Sequence, residues 1–498
     1  MALTEHGNVS SHVRLEIAAD KFGGVVKPIY GCEMYMGGVT EADRTQLKNH
    51  ITILARNISG YRQILRLMSR AWAEGFYHKA TVSREWLFEE AQSGDLLVLS
   101  GCSSGELATA LIGGKHVPPE EASYAKGLAV AREYRDRLPD GTYFLEVQPF
   151  PELDNTCAVN TYLDSISKKL GVPLVATGDI HYPRPEDSEI QQILHNVRGG
   201  TKQSLEDQAA AWGYDVDLSP PTSDKGLRAR LMDTGLSKSS GTNAILIAQD
   251  VASDCDAYRL PVLPLVRFPL PEGFVGTTID YFRAEVNAGW RYRGCHELPE
   301  PLRSEYRARL NKEYKVVKSK DYLDYFLIVS DVVKWTKEHG IPVGPARGSA
   351  AASLICYLLR ITEVDPMEYP SMVFERFVDI TRTDMPDVDL DFDSRQRHRI
   401  FDYCVSKYGE GCVGNIGSFT QYKSKLALDD VARVFKIPSW DVAKIKEVLI
   451  ERSSGDLRAS NTIEDTIEQF PRAKEVYEQY PDLRYAMMLE GQVKGIGV

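Results

Sequence analysis

TRTDMPDVDLDFDS, Thr381 to Ser394, sets an acid at every second position, Asp387, Asp389 and Asp391, with Val388, Leu390 and Phe392 interleaved. In an extended chain successive side chains point to opposite faces, so the apolar residues share one face and the three aspartates share the other. The spacing predicts a strand with one face buried. On the acidic face like charges lie roughly 7 Å apart, which calls for cations or open solvent to neutralise them. Oxygen donors without nearby Cys or His suit Mg²⁺ or Mn²⁺ better than Zn²⁺. A half-exposed strand with solvated acids carries the same alternation, so the rest of the chain must decide.

Upstream lies VGPARGSAAASLICYLL, Val343 to Leu359, in which glycines and a proline make a tight turn before Ser349 opens an Ala-rich helix. A helix start behind a glycine turn offers free N–H groups and a positive dipole end to an anion such as a triphosphate. A plain capped helix, packed closely through Ala350 to Ala352, fits the same letters. Taken with the acidic strand some forty residues on, a phosphate cradle beside a cation site points to phosphoryl or nucleotidyl transfer.

The chain of 498 residues, 43% hydrophobic, has length for two to four domains. No run of eighteen apolar residues occurs, and MALTEHGN lacks the features of a signal peptide, so a cytoplasmic protein without membrane contact is expected. A net charge of −11 argues against a surface that attracts nucleic acid as a whole and leaves that task to local patches. One candidate runs from Arg291 to Lys320, with Trp290, Tyr292, Tyr306 and Tyr314 interleaved and four glutamates diluting it. A solvated amphipathic helix accounts for it better than a phosphate-binding face. Eight cysteines without a CxxC spacing predict reduced thiols, not disulfides or a zinc ribbon.

The first 250 residues alternate strand-like runs (KPIYGCEMYM, DLLVLSG, TYFLEVQPF, VPLVATGDIHY) with helical stretches, Asn49 to Glu74 and Asn160 to Leu170 among them, which predicts an α/β domain. Arg259 to Phe274 is proline-rich and reads as a connector. YLDYFLIVSDVVKWTKEHG has helical spacing and a stop at Gly340. From about Gly417 onward helical patterns dominate (KSKLALDDVARVF, SWDVAKIKEVLI, TIEDTIEQF, PRAKEVYEQY), broken by SSGD.

In order and spacing, GPARGSAAASL, ITEVDP, FERFVD, MPDVDLDF and VGNIGSFTQYKSKLALDDVARVF resemble the bacterial C-family replicative polymerases, the DNA polymerase III alpha subunits. ALTEHGN, KPIYGCEMYM, HITILARNISGY, LSGCSSGEL and VPLVATGDIHY are similar to successive motifs of that family's polymerase-and-histidinol-phosphatase (PHP) domain. The resemblance implies a multidomain α/β and α+β chain. Residues 1–256 would be a partial PHP domain, a distorted β/α barrel lacking its first strand. The connector would span 257–275, the first part of a polymerase-beta-like nucleotidyltransferase palm 276–417, and an α-helical thumb 418–498.

It further implies template-directed DNA synthesis, with dNTPs and primer-template DNA as substrates and two Mg²⁺ ions at the palm. Asp387 and Asp389 match the family's metal carboxylates, and Asp391 takes a supporting role there. Gly348 and Ser349 match its triphosphate-binding pair, with Arg347 beside them. Arg376 is a candidate for the nucleotide phosphates, and Lys425 and Arg433 for DNA. The family's third palm aspartate, fingers and sliding-clamp-binding segment have no counterpart, so a chain truncated at both ends and catalytically incomplete by itself is expected, in need of the remainder of the polymerase. In the PHP region His6, Glu33, His50, Cys102, Asp179 and His181 match metal-ligand positions, for Zn²⁺ or Mn²⁺, and Glu5 stands where the family commonly has Asp. The alternatives are a PHP-type metal-dependent phosphoesterase or 3′–5′ exonuclease, and a non-catalytic DNA-binding fragment.

Overall fold

The computed structural model describes residues 1–46, 48–114, 118–199, 216–261, 265–379, 385–449 and 462–497. Thr381 to Asp384 of the opening stretch and the SSGD break at 453–456 lie outside them. The chain divides into two compact units, Met1–Pro261 with Phe419–Gly495, and Val262–Ser418 with Ile496–Val498. The division falls inside the proline-rich segment.

Unit 1 is built on an eight-stranded sheet. Its strands are β1 (Ala2–His6), β2 (Ile29–Met36), β3 (Asn49–Ala55), β4 (Phe76–Tyr77), β5 (Lys79–Val82), β6 (Leu96–Leu99), β7 (Tyr143–Val147) and β8 (Leu174–Ala176). The hydrogen-bonded order is β4-β5-β2-β3-β6-β7-β8, with β1 also paired to β2. β1 and β5 run parallel to β2, and β6, β7 and β8 run parallel to one another, while β3 is antiparallel to both its neighbours. Every residue of β6 and β7 is buried, as expected of parallel strands covered on both faces.

Asn49 to Glu74 is not one helix. Its first seven residues form β3, because Ile51, Ile53 and Leu54 fill the core between β2 and β6, and the helix begins only at Ile58. The switch is made at Asn57, whose side chain accepts from the Ser59 and Gly60 amides and so satisfies the first orphan donors of helix Ile58–Ala73. Asn160 to Leu170 lies within the helix Asp154–Leu170.

The C-terminal helical patterns appear as helices Ser424–Val434, Ser439–Lys446, Ile463–Gln469, Pro471–Gln479 and Arg484–Leu489. They share an apolar core that includes Ile193 of helix Ser188–Gly199.

Unit 2 packs helices Thr278–Tyr292, Leu302–Ser319 and Leu323–Glu338 about the short helix Leu354–Leu358. The predicted start of the helix is corrected here. Residues 348–352 form a 3₁₀ turn, and the α-helix starts at Leu354, five residues later than expected. Its N-terminus is also occupied. The Glu313 carboxylate accepts from Ser353 Oγ at 2.9 Å and from the Leu354 and Ile355 amides at 3.0 Å, and Ser353 Oγ accepts from the Cys356 amide. A buried acid therefore answers the positive end of this short helix, while Gly348 and Ser349 lie in the 3₁₀ turn before it.

The acidic stretch forms no strand ladder. Among the described residues its one backbone bridge joins Phe392 to Val343, and a strand needs a partner along its length. The alternation itself is realised: Asp387, Asp389 and Asp391 are exposed, and Val388 and Leu390 pack on the core.

The basic run is largely spent on structure. Arg293 donates to the Tyr357 and Thr362 carbonyls, Arg309 pairs with Glu313, and Lys312 with Glu375. All eight cysteines are free. Among the described residues no helix is long and apolar enough to cross a membrane.

Candidate functional site

Among the described residues, each unit brings together a group of side chains capable of chemistry. In unit 1 parallel pairing sets His6, the last residue of β1, opposite Glu33 on β2. Because β3 runs the other way, its second residue, His50, falls beside the far end of β2, opposite Tyr35. Glu33 is thereby shared: Oε1 lies 2.6 Å from His50 Nδ1 and Oε2 lies 3.5 Å from His6 Nδ1. One ligand atom from each of the three lies within 4.8 Å of the others.

Cys102 Sγ approaches to 3.6 Å from His50 Nδ1 and 3.9 Å from Glu33 Oε1. The loop that brings it there passes so close to β3 that a Cβ on Gly101, at φ +83°, would sit 2.6 Å from the His50 carbonyl oxygen. Only glycine permits that crossing. His181 Nδ1 lies 2.8 Å from the Asp179 carbonyl oxygen and 3.7 Å from its carboxylate, and the His181 and His6 ring centres are 6.4 Å apart. All six residues line one cavity of about 520 Å³.

The charge balance of this cavity is uneven. Burial pushes the Cys102 thiol well above its ordinary range, and the Glu33 and Asp179 carboxylates push it further. Burial raises Asp179 as well, against the pull of His181. Glu33 is raised by burial, but the hydrogen bond from His50 and the charge of His6 outweigh this and hold it below the usual glutamate value. Crowded acids and a suppressed thiol are the conditions a cation reverses, since a bound metal deprotonates a thiol and stabilises the carboxylates. Imidazole, thiol and carboxylate donors together fit Zn²⁺ or Mn²⁺.

Glu146, which the sequence reading missed, lies buried on β7. It accepts from Thr177 Oγ1 at 2.6 Å and from the Gly101 amide at 3.1 Å, and burial pushes its carboxyl up to about 7. The signal was present, for an acid in the middle of the apolar run YFLEV asks for a reason. Glu5 accepts from the amide and hydroxyl of Ser11, which ties it to the start of helix His12–Lys21.

In unit 2 the acids and the glycine turn meet. A Cβ added to Gly348, at φ +65°, would lie 2.8 Å from Asp389 Oδ2. Arg347 Nη1 donates to Asp391 Oδ1 at 2.7 Å, and the Gly344 amide donates to the Asp391 carbonyl at 2.9 Å. Gly348, Ser349 and the three aspartates are exposed. The aspartates do not converge as a three-ligand group.

Tyr325, absent from the sequence reading, pairs with the Val388 backbone, and burial raises its phenol to about 12. Arg376 is exposed on the 3₁₀ turn Phe374–Arg376. Lys425 is half-buried on helix Ser424–Val434. Arg433 pairs with Asp430 and donates to the Val197 carbonyl.

Residues 1–149 match the family described as PHP domain, and residues 280–498 match the Bacterial DNA polymerase III alpha NTPase domain. Over 458 residues the chain is 34% identical to DNA polymerase III subunit alpha of Treponema pallidum (strain Nichols), covering 90% of this chain and 36% of that protein. Over 553 residues it is 32% identical to the namesake from Thermus aquaticus, covering 99% and 43%. The α/β sheet with its clustered His, Glu and Cys residues thus defines a PHP-class domain, carried on one chain with a polymerase-type region. The chain belongs to the family of bacterial DNA polymerase III alpha subunits, and it spans between 36% and 43% of the length of these two relatives.

Proposed function

We propose that this chain supplies the nucleotide-binding part of a template-directed DNA polymerase, with 276–417 as the first part of the palm and 418–498 as the thumb. One observation carries the reading: the Asp389 carboxylate stands against Gly348 of the glycine turn, so a cation ligand and a phosphate-facing backbone share one exposed site. Asp387 and Asp389 would hold Mg²⁺, which would supply Lewis-acid activation of a primer 3′-hydroxyl and neutralisation of phosphate charge. Gly348 and Ser349 present backbone N–H and hydroxyl donors to the triphosphate, and Arg347 and Arg376 add guanidinium donors. Lys425 and Arg433 steer DNA phosphates.

Primer extension with Mg²⁺ and dNTPs tests it, comparing this chain, a chain extended to the full length of its relatives, and that longer chain carrying Asp389→Ala. Extension is expected from the longer chain, with a loss of about a hundredfold on Asp389→Ala, some 2.7 kcal/mol of barrier. A full-length protein that extends primers equally well with the alanine refutes the assignment.

The cavity of unit 1 favours a second activity, a metal-dependent phosphoesterase in which His6, Glu33, His50, Cys102, Asp179 and His181 hold Zn²⁺ or Mn²⁺. Phosphate release from a 3′-phosphorylated oligonucleotide, lost on His181→Ala and kept on Asp389→Ala, is the expected signature.

A further inference from the structure

We infer that Asp391 is a positioning residue for Arg347, and that its carboxylate serves the triphosphate through that arginine instead of ligating a cation. The inference rests on the nucleotide-binding reading above and assigns within it a role that sequence spacing would give to metal binding.

Three observations carry it. First, the Asp391 carboxylate has a cationic partner in the Arg347 guanidinium at 2.7 Å, and among the described residues no such partner is seen for Asp387 or Asp389. Second, Asp391 grips the turn twice. Its carbonyl takes the Gly344 amide and its carboxylate takes Arg347, so one residue holds both ends of the four-residue span GPAR. The bridge between Val343 and Phe392 fixes the flank, and the Pro345 carbonyl, bonded by the Glu363 amide, fixes the middle. Third, Asp389, two residues away, lies beside Gly348, while the three acids fail to gather as ligands.

An isolated surface ion pair contributes little, because solvent screens it and two long side chains must be ordered to form it. Here the Gly344 amide has already fixed the Asp391 main chain, so less remains to be ordered than in a pair of free side chains. A guanidinium held by one carboxylate keeps its remaining N–H donors in a fixed plane, suited to phosphate oxygens. The acids of PDVDLDF then divide their work: Asp387 and Asp389 would hold the metal, and Asp391 aims the arginine.

The test measures binding of a fluorescent nucleoside triphosphate to the whole chain, in EDTA and in Mg²⁺, for the unaltered protein and for Asp391→Asn, Arg347→Gln, the double variant and Asp389→Asn. If Asp391 acts through Arg347, Asp391→Asn and Arg347→Gln weaken binding about equally, roughly three- to tenfold, even in EDTA, and the double variant is no weaker than either one. The gain in affinity on adding Mg²⁺ survives Asp391→Asn and is lost in Asp389→Asn. Loss confined to the Mg²⁺ arm for Asp391→Asn makes it a ligand and overturns the inference, as do additive losses in the double variant. An unaltered chain that binds no triphosphate in either arm overturns the nucleotide-binding reading itself. Circular dichroism of each variant, unchanged, excludes a folding defect.

Discussion

At the scale of single residues, close approach decides what the sequence could reveal. Gly101 reads as an ordinary loop glycine, yet it holds Cys102 over β3 at a distance that leaves no room for a methyl group. Gly101→Ala combines a positive φ with a backbone collision. It is expected to destabilise unit 1 by more than about 2 kcal/mol and to weaken Mn²⁺ binding, read by thermal unfolding and by titration with the metal. The six candidate residues of the unit 1 cavity could be picked out because each stands in a short recognisable motif. Glu146 stands out as an acid in an apolar run, but its partners, the Gly101 amide and the Thr177 hydroxyl, show only once the loops that carry them are folded around it.

Among the elements, the most informative departure is the start of the helix at Leu354. VGPARGSAAASL shows small residues and a glycine turn, but nothing in those letters reports that Glu313, some forty residues upstream, will claim the helix end. Non-local partners of this kind are invisible to local pattern. Removing the acid leaves Arg309 without its charge partner and two amides and a hydroxyl without an acceptor. Glu313→Ala should therefore destabilise unit 2 by about 3 kcal/mol in urea unfolding.

β3 was misread for a related reason. Asn49 to Ala55 has apolar residues at spacings compatible with either period, and pairing on both edges chose the strand. The acidic stretch departs the other way, its period-two burial correct and its ladder absent.

The segment following helix Leu354–Leu358 supplies a pH-dependent link. Burial raises Glu363, but hydrogen bonds from Arg293 and Lys337 outweigh it and leave the carboxyl below the usual glutamate range. A depressed carboxylate contributes stability above its unfolded pKa and loses it as pH falls through the folded one. Unit 2 should therefore weaken as pH drops below the ordinary glutamate range. Unfolding of the wild type and Glu363→Gln, measured between pH 3 and 6, should converge at the acid end and differ at the neutral end.

For the whole molecule, the contact pattern of the C-terminal helices is the finding no motif announced. Residues 419–495 cluster with the first 261, and Ile193, 1% exposed, belongs to their core. Glu189 adds polar links to Tyr485 and Arg484. Ile193→Ala should cost about 2–4 kcal/mol in unit 1, seen as an earlier unfolding transition, with the transition of unit 2 unmoved. The α/β class and the helical C-terminal region could be read from periodicity alone. Their shared core could not, since 418–498 reads as a self-contained run of helices.

This discontinuity bears on how the molecule is made. Because the apolar core that Ile193 enters draws its other buried members from beyond residue 418, a ribosome has already delivered residues 262–418 before that core can close. Until then the apolar side of Ser188–Gly199, carrying Ile190, Ile193 and Leu194, is uncovered in the nascent chain. That interval is where a chaperone would find its surface.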